Sequence, residues 1–408
     1  MWQYKHCMMY ICSAERRKIM KVFKKMAIAF VAGILTIGIS AVGASAAEGE
    51  EITNSKGLVI GNYDAEGQII FHPDSKNAHN NVLALNELCR GSKEKTIVIS
   101  DGTTVKVDAV IYLGSNTTIK ADGATIIQTI DGKGILANDV TKSNYGSIEN
   151  VTIQGGTWKN AKNKHIASMM RFAHGQNMTI DKVTVITNYE GHAVELIAMK
   201  NGTVRNSTLK AEGKARKDSV EEALQIDIAT PLTAPGIARA YGKKFTNGET
   251  CKNIKVLDNT ITGGRGICAN FASREKKYIN KFHDNITIIG NKVTGKSAEG
   301  VALFNTLNST VRNNTIVSNS SRKKETYSIG LNIFIIGSST RAKKATVTVQ
   351  GNTIRGGKQG MQISSKTSSK YKKAVVKKNK LSASSGQALL ISSQGVSKIL
   401  QSGNKNKK

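Results

Sequence analysis

A short phrase that returns all along the chain is the strongest constraint on its fold. It reads NTTIKADGATI at 116–126, NVTIQGGTW at 150–158, NMTIDKVTV at 177–185, NGTVRNSTL at 201–209 and NIKVLDNTI at 253–261. It continues as NITIIGNKV at 285–293, NSTVRNNTI at 308–316, TVTVQGNTI at 346–354 and AVVKKNKL at 374–381. The anchoring Ile or Val falls at 119, 153, 180, 204, 256, 288, 311, 349 and 376, giving spacings of 34, 27, 24, 52, 32, 23, 38 and 27. A floor of 23–24 residues with a variable excess describes a fixed coil that accepts insertions at its turns.

A second short strand lies between successive phrases, as in His192–Ile197, Ala223–Ile228, Gly266–Asn270, Gly300–Phe304, Gly330–Phe334 and Gly360–Ile363. Each roughly alternates, which sends one set of side chains inward and the other outward. Val194, Leu196, Leu224, Ile226, Ile267, Val301, Leu303, Leu331, Ile333 and Ile363 form the expected inward stack. Only 3 prolines occur, which suits a backbone paired on both edges of each strand. The fold class is therefore all-β, a right-handed single-stranded parallel β-helix. Three residues after the anchor, Asn259, Asn291, Asn314, Asn352 and Asn379 take one turn position in consecutive coils. Asparagine tolerates left-handed backbone, and stacked amides can satisfy one another, so a ladder is expected there.

The ends read differently. Basic Met20–Lys25, apolar Ala27–Val42 and Ala44-Ser45-Ala46 have the layout of a secretory signal peptide, with a retained anchor as the alternative. Residues 1–46 are read as that signal with an upstream extension, and the protein as secreted or cell-surface associated. Residues 47–95 form an N-terminal cap, 96–395 the β-helix and 396–408 a basic tail. Within the cap, Asn77 to Arg90 reads as a short amphipathic helix, with Val82, Leu85 and Leu88 on one face and Gly91 as its stop. A solenoid needs such a cover over its terminal coil. Cys89, Cys251 and Cys268 are the cysteines beyond residue 46, an odd set that builds no disulfide framework.

The helix, the strand Thr96–Ile99, Asp101-Gly102-Thr103 and LGSNTTIKADGATI at 113–126 resemble the start of the pectate-lyase-like β-helix superfamily, a resemblance spanning residues 75–395. It implies the fold. It leaves the activity open, since lyases, hydrolases, epimerases, tailspikes and adhesins share that scaffold. The N-T-D, D-D, G-H-G and R-I-K set of polygalacturonases is not found, apart from a partial match at Gly191-His192-Ala193. The R-x-P-x-x-R element of pectate lyases is not found either, and no aspartate cluster indicates calcium, so no cofactor or metal is expected, with calcium as the alternative left open.

Stacking turns the sequence into columns. Arg171, Glu195, Gln225, Cys268, Ala302, Asn332 and Gln362 form one outward column; Ala173, Ile197, Asp227, Asn270, Phe304 and Phe334 form the next. One coil plus two residues separates the α-carbons of Glu195 and Asp227 by about 8 Å. Carboxyl groups roughly 6.5–9.5 Å apart suit an inverting glycosidase, one acting as acid and the other as base. Glu195 paired with Arg171 and Asp227 merely solvated is the competing reading. At the corner before the strand, His192, Glu222, Arg265 and Glu299 either form a salt-bridge ladder or supply chemistry. In the second case His192 is an acid or base tuned by Glu222, Glu222 is an alternate acid, and Arg265 holds a sugar carboxylate. Arg171, Gln225, Arg265 and Asn270 are the candidate substrate-binding residues. Insertions at 211–221, 230–251 and 272–283 are expected to wall a basic groove, with Tyr189, Tyr241 and Phe271 as stacking faces.

Charge sets the partner class. The chain carries +30, of which residues beyond 46 keep +24, so polyanions are the expected partners. Nucleic acid is not expected, because the basic residues are scattered and aromatics make up only 5%. The expectation is a monomer acting on an acidic extracellular polysaccharide as a glycoside hydrolase or lyase. The alternative is a non-catalytic glycan-binding solenoid or adhesin, with possible association to an anionic cell wall.

Overall fold

The computed structural model describes residues 47–165 and 168–407. The expected signal segment lies outside them. Among the described residues, strands fall into three sheets of 15, 11 and 10 strands. Each complete coil gives one strand to each in turn. Gly175–Asp181, Thr184–Asn188 and His192–Ile197 make one coil, and Lys200–Arg205, Thr208–Glu212 and Glu222–Asp227 the next. Pairing between coils is parallel, and the phrase anchors from Ile119 to Val376 follow one another in register down the fifteen-stranded sheet. The expected inward stack of the ten-stranded sheet is fully buried. Hydrophobic alternation thus fixes both the faces and the register, since a slip of one residue would turn the core set outward.

The N-terminal cover is larger than a helix. Helix α1 (Ala78–Cys89) buries Val82, Leu85 and Leu88, with Asn77 accepting from the amides of His79 and Asn80. Asn81 and Asn86 donate to the carbonyls of Lys106 and Val110 and so zip α1 to the first coil. An antiparallel meander, Glu51–Thr53, Val59–Tyr63 and Ile69–Phe71, extends the fifteen-stranded sheet ahead of it. At the other end, residues read as a basic tail form two further strands, Val396–Ser402 and Lys405–Lys407. Cys89, Cys251 and Cys268 are free and buried.

The asparagine ladder forms, and Asn404 joins it. Each side-chain Nδ2 from Asn259 to Asn379 donates to the next Oδ1 at 2.9–3.0 Å. The same Nδ2 atoms reach the carbonyls of Val204, Val256, Ile288, Val311 and Val349. The reason for asparagine is not left-handed backbone. That conformation belongs to the preceding residue: Asp258, Gly290, Asn313, Gly351 and Lys378 have φ of 54, 73, 55, 71 and 53°. Asparagine is needed for its amide, which satisfies main-chain groups at a turn that strand pairing leaves unmatched. A second ladder went unread in the sequence. Asn116, Asn150, Asn177, Asn201, Asn253 and Asn285, which open the first six phrases, are linked by side-chain amides at 2.8–3.1 Å. These residues are left-handed, with φ of 54–56°.

The two ladders differ in burial, and so in cost. Asn314→Ala orphans the buried Asn291 amide and Ile288 carbonyl, and is expected to lower stability by about 3 kcal/mol. Asn201→Gly keeps the left-handed backbone and exposes its neighbours to water, so a change within about 0.5 kcal/mol is expected. Urea midpoints of the two variants measure the contrast.

Candidate functional site

The ten-stranded sheet brings the predicted residues together in the predicted columns. Arg171 pairs in register with Glu195, then Gln225, Cys268, Ala302, Asn332 and Gln362. Ala173, Ile197 and Asp227 follow in the adjacent column, with Asn270 beyond them. Placement on an outward column does not make these residues accessible. Glu195 is 3% exposed and Asp227 0%.

Glu195 is neutralised from one side. Its Oε2 accepts from Arg171 Nε at 2.5 Å and from the Ser168 hydroxyl at 2.5 Å. Arg171 Nη2 in turn donates to that hydroxyl at 2.9 Å. Burial pushes the Glu195 carboxyl up, but Arg171, His192 and Ser168 outweigh it and hold it below its ordinary value. Asp227 has the opposite fate. Burial raises its pKa well above the usual carboxylate range, Glu195 and Glu222 add to the rise, and the Ile228 amide and Asn270 only partly offset it. Its Oδ1 accepts from Ile228 N at 2.8 Å, and its Oδ2 has no hydrogen-bond partner among the described residues.

The corner column is a continuous ladder. His192 Nδ1 lies 3.6 Å from Glu222 Oε2 and 2.9 Å from the Glu222 carbonyl oxygen. Arg265 Nη1 donates to Glu222 at 2.5 Å and its Nε to Glu299 at 2.9 Å. Asn332 donates to Glu299 at 3.2 Å, and Gln362 to Asn332 at 3.4 Å. The buried guanidinium of Arg265 is spent on two carboxylates of this chain. Gln225 is buried beside Glu195, while Asn270 is half-buried and its side chain accepts from the Phe271 amide.

The long insertion after Asp227 roofs the sheet rather than walling it. It contains helix α2 (Pro235–Tyr241), and Ile237 and Phe245 pack on Val140, Ala173, Ile197 and Ala229 as a second small core. Its C-terminal part is pinned at two places. His174 meets Glu249 at 2.6 Å and the Phe245 carbonyl at 2.7 Å. His283 accepts from Cys251 N at 3.0 Å and donates to the Asn270 carbonyl at 2.7 Å. A cleft of ≈ 140 Å³ remains beside α2, lined by Tyr112, Asn138, Ser168, Arg171 and Tyr241. Tyr189 is buried and offers no stacking face. The open aromatics are elsewhere. Phe304 and Phe334 are paired in register and half-buried, and Phe271 packs edge-on against Phe304 at 5.2 Å. Arg265 lies 5.8 Å from the Phe304 ring centre. The outward column read from the sequence contains both phenylalanines.

Among the described residues, no group of three or more His, Cys, Asp or Glu side chains is placed to hold a metal ion. No helix among them is long and apolar enough to cross a membrane.

Comparison with known proteins agrees with the coil. Residues 276–405 match the family model described as a right handed beta helix region. The fold is the right-handed parallel β-helix. The plasmin and fibronectin-binding protein A of Streptococcus pneumoniae is 27% identical over 277 residues, 58% of this chain and 37% of that protein. The chain thus spans little more than a third of that relative's length. The structure of the Streptococcus pneumoniae surface protein and adhesin PfbA aligns over 83% of this chain and 92% of its own, with TM-score 0.54 and 17% identity. A double mutant of the tailspike protein of E. coli bacteriophage HK620 covers 85% of this chain and 65% of its own, with TM-score 0.50 and 13% identity. At these identities the structural likeness is one of fold.

The roof has a pH signature. Burial lowers the His283 pKa from 6.5 to about 4, which outweighs its bond to the Asn270 carbonyl. A lowered folded-state value gives stability that is fully present above the unfolded value of about 6.5 and lost as pH falls through about 4. The loss expected from this group is roughly 3 kcal/mol. Asp227, raised by burial, works in the opposite direction. Comparing unfolding of the native chain and His283→Gln from pH 7 to 4 isolates the histidine, because glutamine can still accept from Cys251 and donate to Asn270. The variant should show the shallower pH slope.

Proposed function

We propose that this chain is a non-catalytic, cell-surface solenoid that binds an acidic polysaccharide along the outer face of the ten-stranded sheet. The observation that carries this reading is that the acids of that face are consumed internally. Glu195 is held by Arg171 and Ser168, and Glu222 and Glu299 grip Arg265. Asp227 lies at 0% exposure in the strand that leads into the α2 insertion. What that face offers to solvent is the strip Phe271, Phe304 and Phe334, part of Arg171, and loops rich in lysine. Aromatic rings suit the apolar faces of sugars, and a charge of +24 beyond residue 46 suits acidic ones. Surface display is supported by the expected export segment and by likeness to a protein named as a surface adhesin. The relative named for binding plasmin and fibronectin also favours a binder over an enzyme.

One observation favours a hydrolase as the second reading. The carboxyl groups of Glu195 and Asp227 are driven apart in pKa, the first lowered by Arg171 and the second raised by burial, which is the direction of division an acid–base pair requires. That reading needs the cover over Asp227 to open.

A digestion and binding panel separates the two. Acidic and neutral polysaccharides are incubated with the chain, reducing ends and unsaturated-uronate absorbance are read together, and retention is measured by affinity electrophoresis. The binder retards acidic polymers without releasing products. A Phe304→Ala, Phe334→Ala double variant should lose roughly tenfold in affinity, about 1–3 kcal/mol of stacking. Asp227→Asn keeps the shape of the side chain and the oxygen that accepts from the Ile228 amide, so stability within about 1 kcal/mol of the native chain and unchanged retention are expected. Product release that Asp227→Asn abolishes would establish the hydrolase instead. Retention of fibronectin with no retention of any glycan would replace the ligand class.

A further inference from the structure

A second cleft, of ≈ 410 Å³, opens away from the acid columns, where the chain turns from the ten-stranded into the fifteen-stranded sheet. Its lining comes from four separate segments: Asn144 and Tyr145, the stretch 247–252, the stretch 280–282, and Ser339 with Arg341. The insertions 230–251 and 272–283, expected from the sequence to wall a groove, supply most of the second segment and all of the third.

The backbone at its edge is held in an unusual state. Asn144 and Tyr145 are consecutive left-handed residues, with φ of 57 and 65°. Asparagine visits that region readily, but a tyrosine there is an outlier that persists only where its surroundings enforce it. Two bonds do so. The Asn144 amide donates to Glu249 Oε2 at 3.0 Å, and the Tyr145 hydroxyl donates to the Thr250 carbonyl at 2.9 Å. Glu249 is fixed in turn by the buried His174. The same insertion that roofs the sheet therefore presents an aromatic ring to this cleft.

The charges around the ring are unbalanced. Lys252 Nζ lies 5.5 Å from the Tyr145 ring centre. Among the described residues neither Lys252 nor Lys281 pairs with a carboxylate, whereas Arg341 is engaged by Asp284 and Glu249 by His174. Asn144, Asn247 and Asn280 add side-chain amides to the lining. A ring for an apolar face, amides for hydroxyls and two uncompensated ammonium groups match one chemical class: a pyranose bearing a carboxylate.

We propose that this cleft is a separate binding site for one uronate unit of an acidic glycan. It shares no lining residue with the Phe304–Phe334 strip, so either site can fail without the other. Lys252 and Lys281 supply the charge, and Tyr145 the stacking surface. The carboxylate replaces water around two ammonium groups that the chain itself leaves unpaired.

Titration calorimetry of the full chain with trigalacturonate and with its fully methyl-esterified form tests the site, with backbone amide shifts of Tyr145, Lys252 and Lys281 as the local readout. Trigalacturonate should move those three amides, and the ester should bind at least about tenfold more weakly, the scale of one charge-assisted hydrogen bond. The exposed Lys252→Gln, Lys281→Gln double variant should keep the native melting temperature, lose about tenfold in affinity and lose the shifts. Phe304→Ala with Phe334→Ala should leave the three shifts in place. Equal binding of acid and ester, an unaffected lysine variant, or shifts that avoid all three residues would overturn the proposal.

Discussion

Parallel pairing between coils, in strict register, is the constraint on which the rest of this structure depends. Each strand inside a sheet bonds to the same strand one coil before and one coil after, so a displacement in any coil would be passed to its neighbours. Two devices hold the register. The anchors Ile119 to Val376 stack as a continuous core, and a one-residue slip would expose them. The interior asparagines, Asn259 to Asn404, do what hydrophobic stacking cannot: they satisfy turn carbonyls and amides out of reach of strand pairing. One reinforces the strands and the other the corners.

Register also makes chemistry periodic. Because equivalent positions stack, like charges in one column would repel across a single inter-strand spacing. The corner column avoids this by alternating His192, Glu222, Arg265 and Glu299, and Glu299 then accepts from the neutral Asn332 of the neighbouring column. The adjacent column sets Arg171 against Glu195 for the same reason. An acid on a β-helix face is therefore first a stacking problem. Here most of the acids near the expected centre are spent in solving it, while burial shifts the Asp227 pKa upward.

The insertion between Asp227 and Lys252 changes the character of the molecule's surface. Had it stood away from the sheet, it would have walled a groove over exposed carboxylates. Instead Ile237 and Phe245 bury themselves on Ala173 and Ile197, and His174 and His283 clasp its C-terminal part. One fold-back closes the acid columns and moves accessible chemistry to two places: the phenylalanine strip and the cleft at Tyr145.

The sequence by itself determined the coil. A repeat with a minimum length, a two-residue alternation and an asparagine at a fixed offset are local properties, and local periodicity dictates which face is buried and which residues stack. It determined the columns for the same reason, down to the pairing of Glu195 with Gln225 and of Phe304 with Phe334. It also gave the amide ladder, and erred only in assigning the left-handed backbone to the asparagine rather than to the residue before it, since backbone propensity does not fix where in a turn the strained residue falls. Only the tertiary structure decided what each column touches. Whether Asp227 meets water depends on how residues 228–251 return across the sheet. Tyr145 enters a cleft only because Glu249 and Thr250, about a hundred residues away, hold its turn in place. Exposure, charge balance and pKa are set by contacts between segments distant in the chain, and no spacing within one segment encodes them.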